Sequence, residues 1–107
     1  EGPHAISKGN RVKFQEGMIV SNEPGYYEDG RFGIRIENLI IVKKLKKKFM
    51  FENLTLAPID KSLVEKKLLS KSEIEWLNNY HFKVFNNLKK FMNKSELIDL
   101  KNSCSNI

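Results

Sequence analysis

The sequence predicts an α+β chain in which antiparallel strands come first and helices follow. Two observations carry that expectation. All six glycines and all three prolines fall before about residue 60, among β-branched and aromatic residues that suit strands and turns. From about residue 62 onward both residue types are absent, and apolar residues recur every three or four positions, the period of a helix packed along one side. The implied division is a strand region over residues 1–60 and a helical region over 61–107.

Each element has its own signal. Glu16-Gly17 reads as a turn into a short strand, Met18 to Asn22, which Pro24-Gly25 breaks. Glu28-Asp29-Gly30 is a second turn signal. Gly33 to Val42 reads as one longer strand. Ile34 and Ile36 alternate there with Arg35 and Glu37, and Leu39-Ile40-Ile41-Val42 is apolar on both faces, as in a buried strand. The two strands are expected to pair across the intervening loop. Phe49 to Leu56 alternates again, and Pro58 ends it. Ser70-Lys71-Ser72-Glu73 matches a capping box, in which Glu73 reaches back to the Ser70 backbone. Behind it Ile74, Leu77, His81, Val84, Leu88 and Phe91 form an apolar stripe, broadened by Trp76, Tyr80 and Phe85, which is expected to need a partner surface from the rest of the domain or a second subunit. That helix is expected to end near Met92. Ser95 is expected to cap a short last helix with Leu97, Ile98 and Leu100, and the tail from Ser103 to fray.

Hydrophobic residues make up 40% and charged residues 30%, so a core is available and wholesale disorder is excluded. The net charge of +6 is concentrated in Lys43, Lys44, Lys46, Lys47 and Lys48. No Gly-rich phosphate loop, zinc-ligand spacing or aromatic RNA-binding motif accompanies these lysines. Such a run suits phosphates or anionic lipid, but the favoured reading is a solvated loop or strand end, and nucleic acid is not an expected partner. No apolar run approaches the roughly 20 residues of a membrane span, so no membrane partner is expected either. The one cysteine, Cys104, forms no intrachain disulfide and reads as an incidental thiol in a reducing, cytoplasmic setting. The opening Glu1-Gly2-Pro3-His4 reads as mid-domain sequence, so part of a larger domain is the expectation.

Two carboxylates call for explanation. Glu23 stands at a strand end before the Pro-Gly break, and Glu37 stands between isoleucine-rich stretches, where an unpaired carboxylate is expensive to bury. If the strands pair, both project into one cleft. They then need a cation, a shared proton or a basic partner. Hard oxygen ligands suit Mn²⁺ or Mg²⁺. Spacing alone leaves open a plain salt bridge from Glu37 to Arg35 or a lysine.

Residues Glu16 to Gly30, EGMIVSNEPGYYEDG, followed by Phe32 to Asn38, FGIRIEN, resemble the C-terminal strand pair of the aminopeptidase P family. These metallopeptidases share the pita-bread fold with methionine aminopeptidase, prolidase and creatinase. Glu1-Gly2-Pro3 fits the family's His-Glu-Gly-Pro segment. Leu54 to Asp60, LTLAPID, and Trp76 to His81, WLNNYH, resemble the C-terminal extension of its eukaryotic cytosolic-type members. The resemblance implies the C-terminal portion of a pita-bread fold, a homodimeric cytoplasmic enzyme, and removal of the first residue from peptides with proline second. It also implies two divalent metal ions, usually manganese, held by two aspartates, a histidine and two glutamates. Glu23 matches the glutamate that also handles protons on the bridging water, and Glu37 the one that bridges both metals. Arg35 and Tyr27 match positions that orient those ligands by hydrogen bonding.

The other three ligands have no counterpart in the chain, nor has the histidine that would precede Glu1. His4 stands three residues too late for that role, and His81 reads as a packed helix histidine. The chain by itself is therefore expected to be inactive and to need the upstream part of the same domain. The alternative is a metal-free pita-bread module that binds protein or nucleic acid. Prolidase is a third reading, against which the WLNNYH segment weighs.

Overall fold

The structure, a computed structural model, describes residues 4–107; the Glu1-Gly2-Pro3 match lies outside the described residues. It divides into two compact units, one reaching to Thr55 and one from Leu56 to Ile107.

The first unit is built from β1 (Ile19–Asn22), β2 (Gly25–Glu28), β3 (Phe32–Arg35), β4 (Asn38–Leu45) and β5 (Lys48–Asn53). β1, β4 and β5 form an antiparallel sheet in the order β1-β4-β5, and β2 and β3 form a separate antiparallel ribbon. The expected pairing of the first two strands holds, with Ile19 opposite Ile41 and Asn22 opposite Asn38. The expected single strand from Gly33 to Val42 does not: it splits into β3 and β4, and Glu37 lies in the gap instead of mid-strand. Pro24 supplies the reason. Ile36 donates to the Pro24 carbonyl (3.1 Å), but Pro24 has no N–H to return the bond, so the ladder loses one rung of that pair.

Alternation along β4 decides what is buried. Val20, Ile40 and Val42 turn to the protected side with Asn38. The opposite side keeps Ile19 and Leu39 open to solvent. The stretch expected to be buried on both faces is thus buried on one. Phe14 meets Phe51 edge-on, with centroids 5.4 Å apart. Positive φ at Gly30 (68°) permits the β2–β3 turn that the Asp-Gly signal announced. The β4–β5 hairpin closes through Lys46-Lys47 alone, and Lys46 takes the left-handed region at φ 55°.

The second unit holds α1 (Lys71–Leu88) and α2 (Lys94–Ser103), with 3₁₀ turns at Lys66–Leu68 and Lys89–Phe91. Both halves of the predicted capping box are present on α1: Glu73 N–H donates to Ser70 Oγ (3.3 Å), and Ser70 N–H donates to Glu73 Oε2 (2.8 Å). Leu77, Tyr80, His81 and Val84 are buried within the unit, so this part of the stripe needs no outside partner: α2 and the segment before α1 cover it. Phe91 departs from it and is exposed, because the chain tightens there into a 3₁₀ turn that carries the side chain off the helical stripe.

Tyr80, Val84, Leu100 and Cys104 form the core, with Leu56, Ile59, Phe85, Leu88 and Met92 against it. Cys104 is therefore a packing residue instead of an incidental thiol. The last helix is capped by Asn93 rather than Ser95: Asn93 Oδ1 accepts from the backbone of Ser95 and Glu96 (both 3.0 Å), and Glu96 completes a second capping box. Nor does the tail fray. Lys61 Nζ donates to the carbonyls of Asn102 (3.2 Å) and Ser105 (2.6 Å), and Ile107 N–H donates to Asn78 Oδ1 (3.0 Å).

Candidate functional site

Asn22 pairs with Asn38 in one ribbon and Gly25 with Arg35 in the next, three steps on along each strand. Nothing is inserted or deleted between them, so both ribbons share one register. Glu23 consequently falls opposite Glu37, and Pro24 opposite Ile36. Val42 N–H to the Met18 carbonyl (2.8 Å) and Ile36 N–H to the Pro24 carbonyl mark the even-numbered pairs as hydrogen-bonded. Glu23 and Glu37 thus form a non-hydrogen-bonded pair, the kind in which opposed side chains stand closest. Two like charges in that position repel.

Arg35 answers that repulsion. Its Nη1 lies 3.0 Å from Glu23 Oε2 and its Nη2 lies 3.6 Å from Glu37 Oε2. Both carboxylates are about half exposed, at 44%, so they are ion-paired yet reachable. Ser21 Oγ donates to the other oxygen of Glu23 (2.8 Å). The salt bridge and the shared carboxylate pair, left as alternatives by the sequence, are here the same arrangement. The cluster offers hard oxygen donors suited to divalent cations. It is incomplete as a cage, since no group of three His, Cys, Asp or Glu side chains able to hold a metal occurs among the described residues.

The β2–β3 ribbon explains where Arg35 and Tyr27 stand. Gly25 pairs with Arg35 and Tyr27 with Gly33, which puts all four on one face. The Tyr27 ring packs against both glycines. A Cβ at Gly25 would stand 2.6 Å from the Tyr27 hydroxyl, and one at Gly33 would stand 2.6 Å from Cδ1 of the ring. Glycine at these two positions leaves room for the ring where it stands. Tyr26, Glu28 and Phe32 take the other face, where the Tyr26 hydroxyl donates to Glu28 (2.7 Å). The structure thus joins Glu23, Arg35 and Glu37 directly and sets Tyr27 on Arg35's face. Ser21, Gly25 and Gly33 are not among the site residues expected from the sequence. Their signal was the two-residue spacing that ties each to Glu23, Tyr27 or Arg35.

The histidines stand apart from this cluster in different ways. His4 bonds through Nε2 to the Ile19 carbonyl (3.0 Å) and shares a shallow hollow with Ser21 and Glu23. His81 is fully buried in the helical unit and accepts from Ile59 N–H at Nε2 (3.1 Å). Its burial, with the charge of Lys61 nearby, holds the imidazole below the usual histidine range. The packing role expected of it stands.

Two family models match the chain end to end. Residues 1–44 match metallopeptidase family M24, and residues 47–107 match the C-terminal region of peptidase M24. A probable Xaa-Pro aminopeptidase P from Tuber melanosporum is 46% identical over 91% of the chain, and aminopeptidase P1 from Arabidopsis thaliana is 42% identical over 94%. The chain spans 17% of the length of each of these relatives. Among solved structures, the X-prolyl aminopeptidase of Caenorhabditis elegans is 34% identical and superimposes with a TM-score of 0.78 over 96% of this chain and 18% of its own. That protein is described as a cytosolic enzyme with a di-nuclear active site.

Proposed function

The chain belongs to metallopeptidase family M24, and we propose that it contributes Glu23 and Glu37 to the dinuclear metal site of an Xaa-Pro aminopeptidase whose other ligands lie outside these 107 residues. The observation that carries this reading is the placement of the two glutamates opposite one another with Arg35 beside both. Residues 1–60 are assigned to the catalytic domain and 61–107 to a C-terminal extension.

Two divalent cations, manganese in this proposal, would lower the pKa of a shared water and polarise the scissile carbonyl of a peptide with proline second. The chain's own part is narrower. Glu23 and Glu37 supply the carboxylate oxygens, and Glu23 also serves as proton carrier. Arg35 keeps the opposed carboxylates together and compensates their charge while no cation is bound. Tyr27, on the same ribbon face, joins it in orienting the ligands. The likeness to a cytosolic relative supports a cytoplasmic enzyme. The open Ile19 and Leu39 face gives the rest of the domain, or the second copy of a homodimer, an apolar surface to cover.

The test uses the longest native polypeptide that carries this sequence, assayed for release of the first residue from an Xaa-Pro peptide and for bound metal by mass spectrometry. Glu23→Gln and Glu37→Gln are each expected to lose on the order of 1,000-fold in kcat/KM and at least one metal ion, with the circular dichroism unchanged. Full rate and metal content in both variants would overturn the assignment. The 107-residue chain by itself is expected to hold Mn²⁺ weakly and to show no turnover. Metal-dependent turnover by that chain would refute this part of the reading. A metal-free binding module remains the competing reading, and the presence of both opposed glutamates weighs against it.

A further inference from the structure

The lysine run is more than a solvated strand end. Its five lysines are all exposed and all sit on the last three cross-strand pairs and the two-residue turn of the β4–β5 hairpin. Each of those pairs sets a lysine against an apolar side chain: Lys43 faces Met50, Lys44 faces Phe49, and Lys48 faces Leu45. The apolar partners are open to solvent, Leu45 at 63% and Phe49 at 55%. Because successive pairs alternate between faces, both sides of the tip carry the mixture. Among the described residues one acidic group reaches the tip pairs, at Lys44, and another stands nearer the hairpin's base. Glu52 stands opposite Ile41, and the Glu16 carboxylate accepts from the Lys44 backbone N–H (3.4 Å).

We propose that this hairpin tip docks on an anionic membrane surface, with the lysines among the headgroups and Leu45 and Phe49 in the interfacial layer. Charge complementarity names the partner, since clustered lysines are drawn to anionic lipid. The interleaved apolar residues favour lipid over nucleic acid: a membrane interface accepts Leu, Met and Phe alike, and lysine stems lie along apolar surface while their ammonium groups stay in water. A single-stranded nucleic acid would call for a run of stacking aromatics, preferably beside arginine. The hairpin contains no arginine, and Phe51 is already engaged with Phe14. This proposal departs from the expectation of no membrane partner, and it does not depend on the metal assignment.

The experiment is co-sedimentation of the full chain with phosphatidylcholine vesicles, with and without phosphatidylserine, at low and high salt. Partition onto the phosphatidylserine vesicles is expected, weakening as salt rises. Changing Lys46, Lys47 and Lys48 together to Gln is expected to weaken it by on the order of 100-fold. Leu45→Ser with Phe49→Ser is expected to weaken it about tenfold with the lysines intact. These side chains are exposed, and circular dichroism checks that both variants fold. The proposal fails if the chain partitions no better onto phosphatidylserine vesicles than onto phosphatidylcholine alone. It fails equally if either set of substitutions leaves partition unchanged, or if single-stranded RNA displaces the chain from the vesicles by binding the hairpin more tightly.

Discussion

In the helical unit almost every structural feature is closed by residues near in sequence or by buried apolar contact. Two capping boxes start α1 and α2, and Val84 is wholly buried. In the strand unit the buried residues are few, and Glu23, Arg35 and Glu37 stand half open on a ladder interrupted at Pro24. Substitutions should therefore register differently in the two units. A group that must meet a cation has to stay reachable and keep some uncompensated charge, which is poor for stability. A unit with no such duty can cap its helices and fill its core.

Val84→Ala sharpens that contrast most. Removing two methyl groups from a site with no exposure is expected to cost about 2 kcal/mol, measured by urea unfolding followed at 222 nm. Glu37→Gln, at a half-exposed ion pair, is expected to move the same midpoint by less than about 0.5 kcal/mol. Equal losses from the two substitutions would break the comparison.

The next effect depends on pH. His81 is held neutral in the fold, with Nε2 taking the Ile59 N–H and Nδ1 left without a partner. Its folded pKa is lowered, so the unfolded chain takes up the proton first. The stability that goes with neutral His81 is therefore complete above the unfolded value of about 6.5 and is lost as pH falls from there toward the lower folded value. One proton sets the limit at about 1.4 kcal/mol per pH unit. Urea midpoints from pH 8 down to 5 should fall in the wild type and flatten in His81→Gln. Parallel curves would mean that His81 tolerates its charge.

The helix caps come third. Asn93→Ala is expected to destabilise by about 1 kcal/mol and Ser95→Ala by only a few tenths, since Asn93 accepts the two backbone bonds. A reversal of that order in thermal melts would restore Ser95 as the cap.

Much of this was legible in the chain, and unevenly so. The Ser70 capping box, the buried stripe and the pairing of β1 with β4 follow from local chemistry and period, and all three are present. The two glutamates could be picked out, but their opposition depends on a register counted across the Pro24 interruption, which no local pattern reveals. The Asn93 cap is masked in the sequence by Ser95 two residues on, although Asn93 and Glu96 share the spacing of Ser70 and Glu73. Lys61 lies over forty residues from the tail it fastens, beyond the reach of any periodicity argument.

The smallest effect tests the strand unit at its most strained point. Lys46 holds φ at 55°, a conformation that costs an L side chain on the order of 1 kcal/mol and glycine almost nothing. Lys46→Gly should therefore stabilise the hairpin by roughly 0.5 kcal/mol, part of the gain being offset by the greater freedom of glycine in the unfolded chain. Lys46→Val should destabilise it, because a β-branched residue fits that region worst. A rise in melting temperature for Lys46→Gly, together with weaker partition onto phosphatidylserine vesicles, would mean that a strained turn is kept at a charge the membrane uses. A rise with partition unchanged would leave Lys46 as a strained turn residue with no part in docking.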